Sequence, residues 1–445
     1  MKVGMLVWGV WCSAALASAE EPPAPLSLSA ALQEAATTSL QAQVADLDSQ
    51  VAREETRQIR ALYYPTVNAD VAHYNLDNDP YFVFGDLQFP AGEQVFWRYR
   101  FDVREIVWDW GRRKAATAAS VARESAVTTQ GADSVRQAQM RTLVAYMEAI
   151  TLASRRTVVD QRVAALKDHL RVVQDQFDHG VVARNELLQT EVALRNVMDQ
   201  AADLDDKIAL ARRTLNASMG RSPSSPLVLP PSLVPPPSLP WDTASCASKA
   251  LENNTTVKAL SDKLAAELKL LQYHKKDFYP SFIVQAYHQY EQNRYLLYPH
   301  VTGLFYGMTW NVYDGGARSS KVREDVLAAE KTRCLLEDAK RGVEIMLEQA
   351  YRDYEQALRE TETARVNVGA SRENLRILED QYKEGIVRTT DVLDAESLLA
   401  ESRFTLAAQR YKAYQKQGAV LALMGENLSG FYQNLAMAST DQEED

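Results

Sequence analysis

The side chains that could carry out chemistry are few and scattered. The chain has six histidines, and only His73 and His288 occupy equivalent places, one on each of two predicted strands. One histidine per strand does not form a metal site. No serine nucleophile motif, phosphate-binding loop or zinc-ligand spacing occurs in the 445 residues. The sequence therefore predicts no enzyme, no metal site and no cofactor.

Two aspartates are notable for their spacing. Asp391 and Asp394 lie three residues apart at the predicted start of a helix. The first turn of a helix has unpaired backbone N–H groups and a partial positive charge, so carboxylates are stabilising there. On residue chemistry alone, the pair is assigned to helix capping.

A third set of polar residues alternates along one predicted strand. Arg98, Arg100, Asp102 and Arg104 occupy every second position and therefore share one face. The positions of the opposite face are apolar or aromatic: Val95, Trp97, Tyr99, Phe101 and Val103. Such a strand separates a polar environment from an apolar one.

The elements that position these residues occur twice. Two segments about 200 residues apart, Gln176 to Val182 and Gln381 to Val387, have nearly the same pattern. The corresponding pairs, all 205 residues apart, are Phe177 and Tyr382, Gly180 and Gly385, Leu188 and Leu393, and Glu191 and Glu396. Each glycine lies between helical segments, and glycine tolerates the left-handed conformation that ends a helix. We therefore predict that each segment is the tip of a long helical hairpin.

Helical periodicity continues on both sides of each tip. One helix is expected from Arg112 to about Phe177, and at ~1.5 Å per residue it would be roughly 100 Å long. Its apolar residues keep the 4-3 spacing of a coiled-coil seam: Val159, Val163, Leu166, Leu170, Val173 and Phe177. The helix after the tip continues to about Met219, and the second copy repeats both helices. The sequence therefore predicts two antiparallel coiled-coil hairpins, one in each copy.

Four segments have the period of two that is typical of strands, at about 65–75, 93–107, 280–290 and 301–313. A polar loop is expected between the first two. After the N-terminal segment, no apolar run is long enough for a membrane-spanning helix. Apolar-faced strands in an exported chain suit a membrane barrel, but the smallest barrels have about eight strands, so chains must combine. The alternative is a soluble sheet that covers a helical bundle.

The composition of the chain and the positions of its prolines divide it into five predicted units. The predicted units are a signal segment (1–19), a first repeat (20–221), a proline-rich linker (222–240), a second repeat (241–430) and an acidic disordered tail (431–445). The net charge of −10 argues against nucleic acid as a partner. Cys246 and Cys334 could form one disulfide or be two separate buried residues.

The order of elements, the duplication and the strand-end motifs Trp108-Asp109-Trp110-Gly111 and Tyr313-Asp314-Gly315-Gly316 resemble the TolC family of outer-membrane channel-tunnel proteins. The local match is strongest at Tyr382-x-x-Gly385 followed by Asp391-Val392-Leu393-Asp394-Ala395. The resemblance implies a mainly α fold with a membrane β-barrel portion. It implies a homotrimer whose twelve-stranded barrel lies in outer-membrane lipid and continues as a helical tunnel. It also implies a periplasmic adaptor protein and an inner-membrane pump as partners.

The resemblance assigns roles to particular residues. Asp391 and Asp394 would form acidic rings at the pore entrance, as an addition to helix capping. Tyr382, Glu186 and Arg388 would make closed-state tip contacts, although the family's arginine falls on Val387 here. The adaptor would contact the tips, and the barrel lumen would be polar. The residues expected there are Gly180, Val181, Gly385 and Ile386 at the tips, and Arg98, Arg100, Asp102 and Arg104 in the lumen.

The function expected from this resemblance is a passive exit duct of a tripartite efflux or type I secretion system. It would export small molecules or proteins from the periplasm or cytoplasm. It would lie in the cell outer membrane and extend into the periplasm. The alternative class is a periplasmic coiled-coil spacer or adaptor without a membrane barrel, which would not need lipid-facing alternation in its strands.

Overall fold

The computed structural model describes residues 25–230, 236 and 238–433. The predicted signal segment (1–19) and the part of the predicted tail from 434 to 445 lie outside the described residues. Long helices dominate the described part. They are α1 Leu28–Thr38, α2 Leu40–Ala61, α3 Arg112–Asp178, α4 Arg184–Met219, α5 Thr243–Asn253, α6 Thr255–Lys275, α7 Ala317–Lys383 and α8 Thr389–Leu423.

The first helical segment of each repeat is divided into two helices. Ser39 separates α1 from α2, and its side chain accepts a hydrogen bond from the backbone N–H of Ala42. Asn254 separates α5 from α6 and accepts from the N–H groups of Thr256 and Val257. Serine and asparagine are strong N-cap residues, so a new helix starts at each of them.

The strands are β1 Thr66–Asn75, β2 Tyr81–Phe84, β3 Leu87–Pro90, β4 Val95–Trp108, β5 Ser281–Glu291 and β6 His300–Thr309. Four of them form one antiparallel sheet in the order β1-β4-β5-β6. The predicted polar loop between β1 and β4 instead contains the small hairpin of β2 and β3. The predicted strand to about residue 313 ends at Thr309, because its partner β5 begins at Ser281 and offers no further residue to pair with.

The sheet passes into the helices through the same junction in each repeat. Asp109 accepts hydrogen bonds from the backbone N–H of Gly111 at 3.0 Å and of Arg113 at 2.9 Å. The Arg113 guanidinium binds this carboxylate and the carbonyl oxygens of Leu62 and Ile106. The equivalent residues of the second repeat are Asp314, Gly316 and Arg318. Each strand end is thereby fixed to the start of its long helix.

The helices form a layer in which α3 contacts most of the others. Near the sheet, α3 lies between α2 and α6, and α7 packs on the far side of α6. Towards the tips, α3 lies between α4 and α8, and α7 packs on α8. The predicted coiled-coil seam is confirmed, because Val159, Leu166 and Val173 are all buried against neighbouring helices.

The two cysteines are free rather than joined. Cys246 is fully buried, and this burial raises the pKa of its thiol. Cys334 is exposed on α7, so the interpretation of both as buried residues is wrong for Cys334.

The glycines of the second repeat allow a test of the tip geometry. Gly385 has a left-handed φ of 72°, whereas Gly369 lies within α7, and a Cβ at either position would meet no atom within 4 Å. We expect Gly385→Ala to lower the free energy of unfolding by about 1–2 kcal/mol, and Gly369→Ala to raise it by roughly 0.5–1 kcal/mol. Denaturant unfolding followed by circular dichroism measures both changes. Equal effects of the two substitutions would contradict the assigned backbone conformations.

Candidate functional site

Both hairpin tips have the same backbone structure. In the first, Val181 N–H donates to Gln176 O at 2.8 Å and Gly180 N–H donates to Phe177 O at 2.9 Å. The second tip has the equivalent bonds, and the tip glycines have φ values of 73° and 72°. This is the glycine-ended helix terminus that the sequence predicts. It leaves Val181 71% exposed, and Ile386 at the second tip is similarly exposed.

A chain of polar contacts joins the two hairpins just behind the tips. The hydroxyl of Tyr382 on α7 donates to Gln176 Oε1 on α3 at 2.9 Å. The hydroxyl of Thr389, at the start of α8, lies 2.8 Å from Glu186 Oε2 on α4 and 3.2 Å from the Tyr382 hydroxyl. The structure therefore brings Tyr382 and Glu186 together through Thr389, which is fully buried.

Thr389 and Gln176 are functional candidates that sequence reasoning missed. Both are polar residues in helices whose surfaces are largely polar, so nothing in the sequence distinguishes them from solvated neighbours. Their shared contact with Tyr382 depends on how one hairpin lies against the other, which helical periodicity within either hairpin does not report.

Apolar side chains and one histidine surround this polar link. Val173, Leu187 and Val392 pack with Tyr382 in one buried cluster. The ring of His169 lies 5.2 Å from that of Tyr382. Burial lowers the pKa of His169, so the neutral ring is favoured while the hairpins are packed. The stability that this neutral ring contributes is present above pH ~6.5 and is lost as the pH falls through the lowered pKa.

Arg388 does not join this link. Its side chain is exposed and forms no ion pair within the described ranges. Its backbone N–H instead donates to Asp391 Oδ2 at 2.9 Å. The N-cap position of α8 is therefore Arg388, and Asp391 caps from three residues further on.

The two aspartates of α8 remain on the surface. Asp391 and Asp394 are both exposed, one helical turn apart, beside the buried Val392 and Ala395. Asp391 therefore caps the helix. The exposed sides of Asp391 and Asp394 remain available for other contacts.

The apolar face of the sheet is exposed, whereas a soluble protein would bury such a face in its core. On β4 the apolar face is open, with Trp97, Phe101 and Val103 between 41% and 56% exposed. On the polar face, Asp102 is buried and accepts a hydrogen bond from Asn68 at 3.1 Å.

The arginines of that polar face differ in their contacts. Arg98 forms an ion pair with Glu291 at 2.9 Å and donates to the Tyr74 hydroxyl. Arg100 lies 3.8 Å from the Asp102 carboxylate. Arg104 is exposed and has no ion pair in the described part of the chain. The four predicted lumen residues thus share one face, and three of them belong to polar networks.

Aromatic rings form two groups at the two ends of the sheet. One row crosses all four strands, with neighbouring ring centroids 4.6–6.3 Å apart: His73, Trp97, Tyr99, Tyr290 and His300. A second group at the helix junction contains Trp108, Trp110 and Tyr279. Trp97 and Trp108 are eleven residues apart on β4, which at ~3.4 Å per residue is roughly 37 Å along the strand.

None of the helices in the described residues combines the length and apolarity needed to span a membrane. Within the same residues, no group of three or more histidine, cysteine or acidic side chains could hold a metal ion.

The sequence pattern of the outer membrane efflux protein family matches residues 98–221 and 246–426, well over half of the chain. The chain belongs to the outer membrane efflux protein family. Members of this family are efflux proteins of the outer membrane rather than enzymes, so the chain is an outer-membrane efflux protein. A comparison with curated proteins finds no match to the sequence.

Solved structures of outer-membrane channels share the fold. The Campylobacter jejuni CmeC outer membrane channel superimposes with a TM-score of 0.76 and 11% identity, covering 98% of this chain and 97% of that chain. CusC gives 0.75 and 14%, covering 90% and 92%. The Vibrio cholerae outer membrane protein VceC gives 0.72 and 15%, covering 90% and 96%. The efflux-protein fold is therefore present over nearly the whole chain.

Thr389 offers a direct test of the link between the hairpins. Thr389→Val keeps the side-chain shape but removes the hydroxyl that binds Glu186, so the start of α8 should be less stable by about 1–3 kcal/mol. Hydrogen exchange of residues 386–395 should become faster by the corresponding factor. Thr390→Val, at the exposed neighbouring position, is the control and should leave exchange unchanged. Equal exchange in both variants would mean that the hydroxyl contact is not formed.

Proposed function

We propose that three copies of this chain form the exit duct of a tripartite efflux or type I secretion system. A barrel of twelve strands would cross the outer membrane and continue as a helical tunnel into the periplasm. The observation that carries the proposal is the four-stranded sheet, which has an exposed apolar face, polar networks on its opposite face and two edge strands.

The free edges require other copies of the chain. In the described part of the chain, β1 and β6 are edge strands, and each presents unpaired backbone N–H and C=O groups along one side. In lipid each such group costs several kcal/mol, so only closed barrels present strands to a bilayer. Four strands are too few to close, whereas three copies supply twelve. The antiparallel order is kept if β1 of one copy pairs with β6 of the next.

The dimensions of the sheet suit this position. The two aromatic groups are roughly 37 Å apart along the strand. Strands of outer-membrane barrels tilt by ~35–45°, so this distance corresponds to about 26–30 Å along the membrane normal. That is close to the ~25 Å height of the apolar band of such barrels. The aromatic rings would then lie at the two interfaces, and the exposed apolar face would meet lipid. Arg98, Arg100, Asp102 and Arg104 would line the lumen.

A helix face supports the same arrangement. The small residues of α2, among them Ala45 and Ala52, are buried within the chain. The opposite side of α2 has a 4-3-4 stripe of exposed apolar residues, all more than half exposed: Leu40, Val44, Leu47 and Val51. That spacing is typical of a coiled-coil seam, and none of the described residues of this chain covers it. Because α2 leads directly into the edge strand β1, the helix that covers the stripe would belong to the neighbouring copy.

The hairpin tips are the surface for the periplasmic adaptor protein, which would connect the duct to an inner-membrane pump. Val181 and Ile386 are two-thirds or more exposed on matching turns. With Gly180 and Gly385 they form compact apolar ends on two hairpins of similar length. α3 has 67 residues, so at ~1.5 Å per residue it reaches roughly 100 Å from the sheet.

The entrance would lie beside these tips. Asp391 and Asp394 are exposed near the start of α8, so three copies around one axis would form two acidic rings. Such rings attract cations and repel anions. Tyr382 and Glu186 hold the second hairpin (α7 and α8) against the first (α3 and α4), and Arg388 would contact the neighbouring copy. The cargo would be small molecules or proteins, and the energy would come from the pump. A spacer without a barrel would leave the apolar sheet face in water.

Single-channel conductance in a planar bilayer tests this function. We expect small, cation-selective openings of the purified protein. The double variant Asp391→Asn, Asp394→Asn should reduce cation selectivity several-fold, because the rings lose their charge. Asp199→Asn, Asp206→Asn removes the same charge from exposed positions of α4 farther from the tip and should conduct like the unmodified protein.

Two other outcomes of the conductance experiment would change the proposal. Openings that are unchanged in the Asp391, Asp394 variant would keep the duct and restrict these residues to capping. A protein that stays in solution without detergent and never inserts would contradict the barrel and support the spacer.

A further inference from the structure

One carboxyl group between the hairpins is buried in an unusual way. Glu396 lies on α8, five residues after the capping Asp391, and is only 7% exposed. Its Oε2 atom is inaccessible to solvent and has no hydrogen-bond partner among the residues that the structure describes. A charged carboxylate in such a place is costly unless it is paired.

The charged groups around Glu396 do not compensate for this burial. From α3, Arg162 faces it, but the Arg162 guanidinium donates its hydrogen bond to the neighbouring Ser397 hydroxyl. From α7, Glu379 contributes a like charge. Burial, opposed in part by Arg162 and reinforced by Glu379, raises the pKa of Glu396 to about 7.

We propose that Glu396 is a proton switch of the interface between the two hairpins, neutral while they are packed and charged when they separate. Opening the entrance then releases one proton from each chain. Because Glu396 lies on the same helix as Asp391 and Asp394, its protonation state biases the position of the entrance residues. The inference rests on the proposed function, since the hairpins must separate for the duct to open.

The direction of the pH dependence follows from the surroundings of Glu396 in the packed and in the separated state. When packed, Glu396 holds its proton up to pH about 7; when separated and hydrated, it ionises near ~4.3. The packed arrangement is therefore favoured by acid and weakens as the pH rises through this window. Opening should increase towards pH 7 and level off above it. His169 acts in the opposite sense, but only below about pH 6.5.

The repeat supplies a matched control. Glu191 occupies the equivalent position in the first copy and is only half-buried. The position equivalent to Arg162 is Asn367. The buried carboxyl facing an arginine is therefore present on one hairpin and not on its copy, although the backbones of the two tips match.

The separation of the hairpins can be measured directly by pulsed electron spin resonance. Nitroxide labels would be placed on Val181→Cys and Ile386→Cys of one chain in a Cys334→Ser background, and Cys246 is fully buried. Labelled chains would be diluted with unlabelled chains and placed in lipid nanodiscs. This readout needs neither conductance nor a particular number of copies, so its failure is distinct from a failure of the proposed function.

We expect the ratio of separated to packed hairpins to rise about tenfold between pH 6 and pH 8. Glu396→Gln should remain packed over this range, because its neutral side chain has no proton to release. Glu191→Gln should respond as the unmodified chain does. A packed distance at pH 6 in Glu396→Gln establishes that this variant is folded. The proposal is overturned if Glu396→Gln keeps the full pH response or if the unmodified chain has none.

Discussion

The unpaired backbone along the two edges of the sheet is the constraint on which the other features depend. A soluble protein could cover β1 and β6 with water, but a bilayer offers no hydrogen-bonding partners. Closing the sheet through neighbouring copies would satisfy these groups and would also fix the order of the helices. α2 runs directly into β1, and β6 leads directly into α7. A copy that paired with the edge strand β1 would therefore also place a helix beside the exposed stripe of α2.

The duplication provides one backbone plan with two sets of polar side chains. The Asp109–Arg113 and Asp314–Arg318 junctions are nearly identical, so both repeats transfer the direction of their strands to a 67-residue helix in the same way. The tips also match in backbone. The chemistry differs where the hairpins meet, since Phe177 has no hydroxyl to match that of Tyr382. The two repeats therefore share their backbone structure and differ in the side-chain contacts that join the two hairpins.

Periodicity and glycine placement predict most of the fold. The 4-3 spacing around Leu166 and the alternation along β4 each come from one element meeting one environment, so the sequence alone reports them. The sequence does not reveal the hairpin of β2 and β3 within an expected polar loop, or the break at Ser39, because single turns and caps compete locally with longer elements. It also misses Thr389 and the burial of Glu396. These depend on packing between helices far apart in the sequence, where a polar side chain looks the same whether solvated or enclosed.

Electron cryo-microscopy of the full-length protein in lipid nanodiscs tests the central claim most directly. We expect three copies around one axis, with β1 of each copy hydrogen-bonded to β6 of the next in a closed twelve-stranded barrel. The apolar face of β4 should point to lipid, and Arg98 should point to the lumen. A particle whose sheet edges stay unpaired in the bilayer, or whose sheet lies outside the lipid, would contradict it.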